Sequence, residues 1–227
     1  MSLPPTSPSA TGTPSGLAAP DRNVLRSELI RARKALDSAE WERHSAAVQR
    51  RVLALPEWRD ARTVAMYIAV RNEISTDEIP DARAEGKQVL LPRCLPPSAG
   101  EGIMEFVLCR GYDELAPGAF GLSEPGPACV PLPRTGWGQD AAGTFVPPSG
   151  TDASLRLPDL ILVPAVGISP AGARLGYGKG FYDRLLALPG WGGELLARST
   201  LQLAAFPAGP LDIPIHGYAT EKELIWL

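Results

Sequence analysis

The stretch Arg174-Leu175-Gly176-Tyr177-Gly178-Lys179-Gly180-Phe181-Tyr182-Asp183 constrains this chain more than any other. It follows a short apolar run, Leu160-Ile161-Leu162-Val163, and precedes apolar residues at helical spacing, Phe181, Leu185 and Leu188. Strand, glycine-rich loop and helix in that order make a cradle for phosphate. Glycine lets the backbone approach phosphate oxygens, and the new helix offers unpaired N–H groups and the positive end of its dipole. Arg174 and Lys179 flank the loop as cations, and Asp183 falls in the first helical turn, where a magnesium ligand can stand. Glycines also serve ordinary turns, so the loop alone does not decide the matter. It is not a Walker A loop, because Gly180 rather than Ser or Thr follows Lys179. Nor is it a dinucleotide fingerprint, which opens the first strand–helix unit of a sheet, whereas this loop comes late in the chain.

Apolar periodicity places the remaining elements. Leu25, Leu29, Ala32 and Leu36 predict a helix from Arg22. Asp37 caps a second helix, with Glu40 three residues on, an apolar stripe of Trp41, Val48, Val52 and Leu55, and Pro56 as its stop. Val64 to Val70 reads as a first strand, Thr76 to Ala84 as a short helix, and Val89-Leu90-Leu91 and Met104 to Cys109 as further strands. Leu160 to Val163 is the fourth, Thr200 to Ala205 a fifth, and Leu224 to Trp226 pairs briefly at the end. Strands alternating with helices predict an α/β fold, a three-layer Rossmann-like and mostly parallel sheet with helices on both faces. Ligands of such sheets sit at the carboxyl ends of strands, where the glycine-rich loop, Glu73 and Arg93 all fall.

The 227 residues with net charge −3 suit a single α/β domain over 21–227. Met1 to Pro20, rich in Pro, Ser, Thr and Gly, reads as a disordered tail without the apolar core of a secretion signal. Gly111 to Leu157 is rich in Pro and Gly; 118–125 is expected ordered, 133–154 mobile, and 126–157 forms one long loop. The charge balance provides no broad basic field for nucleic acid, and the apolar runs are too short for a membrane span. Cys94, Cys109 and Cys129 are odd in number and lack zinc spacing, so they read as reduced thiols of a cytoplasmic protein.

Taken together, several blocks in order resemble the 5-formyltetrahydrofolate cyclo-ligase family, also called methenyltetrahydrofolate synthetases. They are Leu25-Arg26, Asn72-Glu73-Ile74-Ser75-Thr76, Leu91-Pro92-Arg93, Met104-Glu105-Phe106, Gly118 to Pro125, Pro158 to Arg184 and Thr220-Glu221. The resemblance runs from about Arg22 to the C-terminus. It implies an ATP- and magnesium-dependent ring closure of 5-formyltetrahydrofolate to 5,10-methenyltetrahydrofolate, releasing ADP and phosphate. Phosphoryl transfer makes the formyl oxygen a leaving group and N10 attacks the activated carbon, so the work is positioning and charge stabilisation. The implied partners are small molecules, with a monomer or weak dimer expected.

Carried over by position, the ATP contacts fall on Arg22, Asn23, Val24, Leu25 and Arg26, and on Arg174, Leu175, Gly176, Tyr177, Gly178, Lys179, Gly180, Phe181 and Tyr182. Lys179 and Arg174 are the catalytic candidates. Folate contacts match Ile68, Glu73 and Tyr177 to Phe181, and the magnesium carboxylates match Asp183 and Asp212. Plainer readings stand beside these. Lys179 also suits a solvated loop, Arg26 a charged helix face, Asp183 a helix N-terminus, and Phe120 and Tyr182 ordinary packing. Arg93 suits either a phosphate or a glutamate tail. The chain departs from the family pattern at Arg22, where lysine is usual, at Leu211, where His or Asn is usual, and at Ile168-Ser169. A non-catalytic nucleotide- or folate-binding member of the same fold is the alternative, and a sugar-phosphate or acyl-transfer enzyme is a third reading.

Overall fold

The structure is a computed structural model that describes residues 20–77, 79–100, 102–191, 194–198 and 205–227. Two helices open it, α1 (Arg22–Lys34) and α2 (Ser38–Leu53), each started by an aspartate. Asp21 accepts from the Asn23 N–H at 2.7 Å and Asp37 from the Glu40 N–H at 2.7 Å, satisfying donors that a helix leaves open at its start. Pro56 does not end α2, which stops at Leu53; it begins α3 (Pro56–Asp60), where proline has no helical N–H bond to lose. The helix expected from Thr76 is the shorter α4 (Ile79–Ala84).

The strands in chain order are β1 (Thr63–Ala65), β2 (Gln88–Cys94), β3 (Met104–Leu108), β4 (Leu115–Pro117), β5 (Ser123–Pro125), β6 (Val130–Pro131), β7 (Gly138–Gln139), β8 (Phe145–Val146), β9 (Leu160–Pro164), β10 (Gly167–Ile168), β11 (Arg174–Leu175), β12 (Glu194–Arg198), β13 (Gly217–Ala219) and β14 (Leu224–Trp226). The main sheet has the order β14-β13-β12-β9-β1-β2-β3-β6. Its centre, from β13 to β2, is parallel, and β14, β3 and β6 add antiparallel edges. The central register sets Ala65 opposite Leu90 on one side and Ile161 on the other. A strand covered on both faces reads as an unbroken apolar run, which is why Leu160 to Val163 sits at the middle, fully buried.

One face of the sheet carries Val64, Leu91, Leu160 and Leu162 against Val48 and Val52 of α2, Trp58 of α3 and Ala82 of α4. The other carries Ala65, Leu90, Ile161 and Val163 against Leu185 and Leu186 of α5 (Phe181–Leu186), together with Leu132, Leu155 and Trp191 from irregular chain. Loops therefore do on this second face much of what helices do on the first. A third, smaller cluster joins Leu25 and Leu29 of α1 to Ala173, Leu175 and Phe206. It is this cluster that seats the first helix on the glycine-rich loop.

Several boundaries moved. The first strand was expected to reach Val70, yet its ladder ends at Ala65, with one further bond from the Met66 N–H to the Leu90 carbonyl. Beyond it the chain leaves the sheet towards a turn at Arg71-Asn72, so apolar character there reflects burial without pairing. Within 133–154, β7 and β8 form a hairpin whose turn is held by Asp140, accepting from the N–H groups of Ala142 and Thr144 at 2.9 Å each. The strand expected over Thr200 to Ala205 falls, but for Ala205, outside the described residues; β12 at Glu194–Arg198 is a separate strand that periodicity did not mark. The three cysteines are free thiols. No helix among the described residues is long and apolar enough to cross a membrane.

Candidate active site

The hairpin of β10 and β11 leads from the central strand β9 into the glycine-rich loop. Gly178 (φ +87°) and Gly180 (φ +67°) take left-handed conformations that side chains with a Cβ avoid, and Gly180 opens α5. Arg26 lies along the loop. Its Nε donates to the Gly176 carbonyl at 2.7 Å and its Nη1 to Asn23 Oδ1 at 2.6 Å. A Cβ on Gly178 would stand 3.3 Å from the Arg26 guanidinium carbon, so the loop has no spare room on that side. Burial, and then the charge of Arg22, lower the pKa of Arg26. The two expected ATP-contact blocks, 22–26 and 174–182, are thus in contact.

The two expected metal carboxylates lie on segments joined by a hydrogen bond. Asp183 Oδ1 accepts from the Ile213 N–H at 3.3 Å, and Ile213 is the neighbour of Asp212. Each carboxylate is ion-paired: Arg174 holds Asp183 Oδ1 at 3.0 Å and Arg22 holds Asp212 Oδ2 at 2.7 Å. Asp212 Oδ2 also accepts from the Gly209 N–H at 2.8 Å. Arg22 further donates to the Pro207 carbonyl at 2.8 Å and lies over the Phe206 ring. These contacts use one oxygen of each carboxylate, leaving a second hard oxygen on each side chain. That donor set fits magnesium, which takes one or two protein carboxylates and fills its octahedron with water and phosphate. Among the described residues no group of three or more candidate ligands gathers anywhere.

Glu73 closes a tight turn after the first strand. Its N–H donates to the Val70 carbonyl at 2.9 Å, and the Val70 N–H donates back to Glu73 Oε2 at 3.1 Å. The two central residues, Arg71 (φ 52°) and Asn72 (φ 57°), are left-handed without being glycine. The carboxyl is 5% exposed, and burial pushes its pKa up to about 7 against the pull of the Val70 N–H, Arg33 and Arg71. Opposite it stands Tyr177 of the glycine-rich loop, whose phenol is raised by burial and then by Glu73. Arg33, 2% exposed, donates to the Tyr177 hydroxyl and to the Ala165 carbonyl at 3.3 Å. The phenol of Tyr182 is likewise pushed up, by burial and then by Glu73. Ile68 is half-buried and packs against the cluster beneath α2.

On another side of the loop lies a cavity of about 850 Å³, lined by Lys179, Phe181, Arg93, Glu105 and Glu124 among others. Glu73 and Ile68 do not line it. Arg93 is committed to Glu105 at 2.7 Å and to the Gly126 carbonyl at 2.7 Å. Lys179 is exposed and carries no ion pair among the described residues. Val24 points outward, 57% exposed, while Leu25 packs under the loop and Leu175 is fully buried.

The sequence profile of the 5-formyltetrahydrofolate cyclo-ligase family matches residues 18–214. The chain belongs to that family. A 5-formyltetrahydrofolate cyclo-ligase of Mycolicibacterium smegmatis is 29% identical over 210 residues, covering 89% of this chain and 94% of its own. The Mus musculus cyclo-ligase is 28% identical, with 71% of each chain covered. Among solved structures, the 5,10-methenyltetrahydrofolate synthetase of Aquifex aeolicus superposes with a TM-score of 0.65 at 26% identity, over 90% of this chain and 92% of its own. The synthetase of Mycoplasma pneumoniae shares the fold, with a TM-score of 0.64 at 19% identity over 88% of this chain and 99% of its own. Two arginines around the loop escaped the sequence reading. Arg33 continues a helical face with Arg22, Arg26 and Leu29, a spacing that was available as a signal. Arg71 stands in a left-handed turn that residue type does not announce.

Proposed function

We propose that this member of the cyclo-ligase family converts 5-formyltetrahydrofolate to 5,10-methenyltetrahydrofolate with ATP, releasing ADP and phosphate. The observation that carries the reading is the seating of the Arg174–Asp183 loop. It is fastened to Arg26 on one side and presents Lys179 and Phe181 to a cavity on another. A nucleotide held at Arg22 to Arg26 and along the loop would bring its terminal phosphate to Lys179, and the folate would lie beside it, its pterin at Glu73 and the rest of the molecule towards the cavity. The formyl oxygen then takes the phosphoryl group as ADP leaves; N10 attacks the activated carbon and the phosphate departs.

In this reading the chain supplies no nucleophile. Lys179, an exposed ammonium on a loop whose neighbouring backbone is fixed, stabilises charge on the transferred group. Arg174 holds Asp183 and stacks over the Tyr182 ring, so it orders both the acid and the aromatic wall. Asp183 and Asp212 would hold magnesium, which when bound neutralises phosphate charge. Glu73, poised near neutral pH, would accept the paired N–H donors of the pterin. The finer architecture belongs to the same proposal: a three-layer Rossmann-like arrangement, with α2, α3 and α4 over one face and α5 over the other.

Mixing the protein with 5-formyltetrahydrofolate, ATP and magnesium should produce the near-UV absorbance of the conjugated methenyl product. No signal with ATP, or an equal signal without it, overturns the ligase reading. A second reading, a member that binds both ligands without turnover, draws on the arginine already paired to each metal-candidate carboxylate. Binding of both ligands with no absorbance change would select it.

A further inference from the structure

Two guanidinium groups from different parts of the chain approach the Tyr177 ring. Arg33 of α1 sits 5.5 Å from the ring centroid and Arg71 of the Val70–Glu73 turn sits 5.6 Å from it. Arg33 also donates to the Tyr177 hydroxyl, so this contact holds the phenol end of the ring as well as facing its π-system. Three elements therefore meet at one side chain: the helix that carries Arg22 and Arg26, the glycine-rich loop, and the turn that ends in Glu73.

Two features show that this meeting is held against local preference. The Arg33 Nε is buried without a hydrogen-bond partner among the described residues, although a buried donor normally finds one. Its fork is aimed at Tyr177 and Ala165 at the expense of that N–H. Arg71 and Asn72 are both left-handed, a conformation that non-glycine residues rarely take and that surrounding contacts must enforce. The turn is closed by the paired bonds between Val70 and Glu73, and the Glu73 carbonyl accepts from Trp41 Nε1 at 2.8 Å. A shift of Tyr177 with its loop thus bears directly on Arg71 and through it on the position of Glu73.

We propose that Arg33, Tyr177 and Arg71 form a clamp that couples the two ligand sides, so that filling the phosphate loop tightens binding at the Glu73 turn. Arg33 and Arg71 are positioning residues in this scheme, acting through Tyr177. The coupling is reciprocal: each ligand strengthens the other by the same factor. This inference rests on the functional reading above, and its test separates the two.

The test measures the dissociation constant of 5-formyltetrahydrofolate by calorimetry, with and without a non-hydrolysable ATP analogue and magnesium. The parent protein should bind the folate roughly tenfold more tightly when the analogue is present. Arg33→Met and Arg71→Asn should each bring that ratio towards one, while thermal melting shows the chain still folded. Arg71 is exposed and asparagine tolerates a left-handed backbone, so the second variant tests the clamp even where Arg33→Met fails to fold. A residue serving stability alone would change melting and leave the ratio intact. A ratio in either folded variant equal to the parent's, or a parent ratio of one with both ligands bound, overturns the clamp and spares the functional reading. A parent that binds neither ligand overturns both.

Discussion

Asp183 accepts a hydrogen bond from the backbone N–H of Ile213 at 3.3 Å, which brings the start of α5 against the residue that follows Asp212. Two acids that are far apart in the chain thereby share one locality, each already faced by an arginine. Under the proposed function these two carboxylates would hold magnesium, and each would then balance that charge against its arginine.

Asp183→Asn should therefore act on both metal dependence and stability. The magnesium concentration for half-maximal activity is expected to rise at least about tenfold, as for the loss of one of two carboxylate ligands. Stability should fall by roughly 2 kcal/mol, since Arg174 is left without its anion. That is less than for a fully buried pair, because the Asp183 side chain keeps 21% of its surface in solvent. Magnesium titration of the rate and urea unfolding check the two parts separately.

Lys179→Ala should separate catalysis from folding. The side chain is exposed and makes no ion pair among the described residues, so unfolding free energy should move by no more than about 0.5 kcal/mol. The turnover number should fall roughly 10²–10³-fold, the usual cost of removing one donor from a site of developing charge. A variant with near-normal turnover would remove Lys179 from the mechanism.

Gly178→Ala tests the fit of the loop against α1. A Cβ there meets Arg26 at 3.3 Å, and the backbone stands at φ +87°. The expected result is a loss of about 1–2 kcal/mol in stability and a KM for ATP raised more than the KM for folate. Initial-rate measurements with each substrate varied in turn decide it.

Glu73 ties stability to pH with an unusual sign for a carboxylate. Its folded pKa is raised from 4.5 to about 7, so between these values the native state holds a proton that the unfolded chain releases. The protonated native form is unpenalised below pH 4.5, and stability from this group falls as pH rises towards 7. Above that the cost levels off at roughly 3 kcal/mol. Glu73→Gln should consequently be more stable than the parent at pH 8 and nearly equal at pH 4.5, as read from urea midpoints. The same variant should raise the KM for 5-formyltetrahydrofolate if the ionised carboxylate takes the pterin donors.

What was legible in the sequence is what local rules control. The aspartate caps and apolar stripes of α1 and α2 mark both helices, and the unbroken run Leu160 to Val163 marks the central strand. The glycine-rich loop announced itself by residue type and spacing, and the family's Arg26 proved to touch it. The excess length expected of the first strand came from reading burial as pairing; Met66 and Tyr67 are buried, but the ladder has already ended. Other features depend on contacts between distant segments. Nothing near Arg71 and Asn72 marks a left-handed turn, and nothing near Tyr177 says that two guanidinium groups will approach its ring.

The bond from Arg26 to the Gly176 carbonyl joins positions 150 residues apart. On a ribosome adding about 5–20 residues per second, the first helix emerges roughly 8–30 s before its acceptor exists. Through that interval Arg26 lacks the carbonyl that it donates to in the folded protein. Under the proposed function, chemical competence thus waits for the late glycine-rich loop, after the residues of β1, β2 and β9 have all been added.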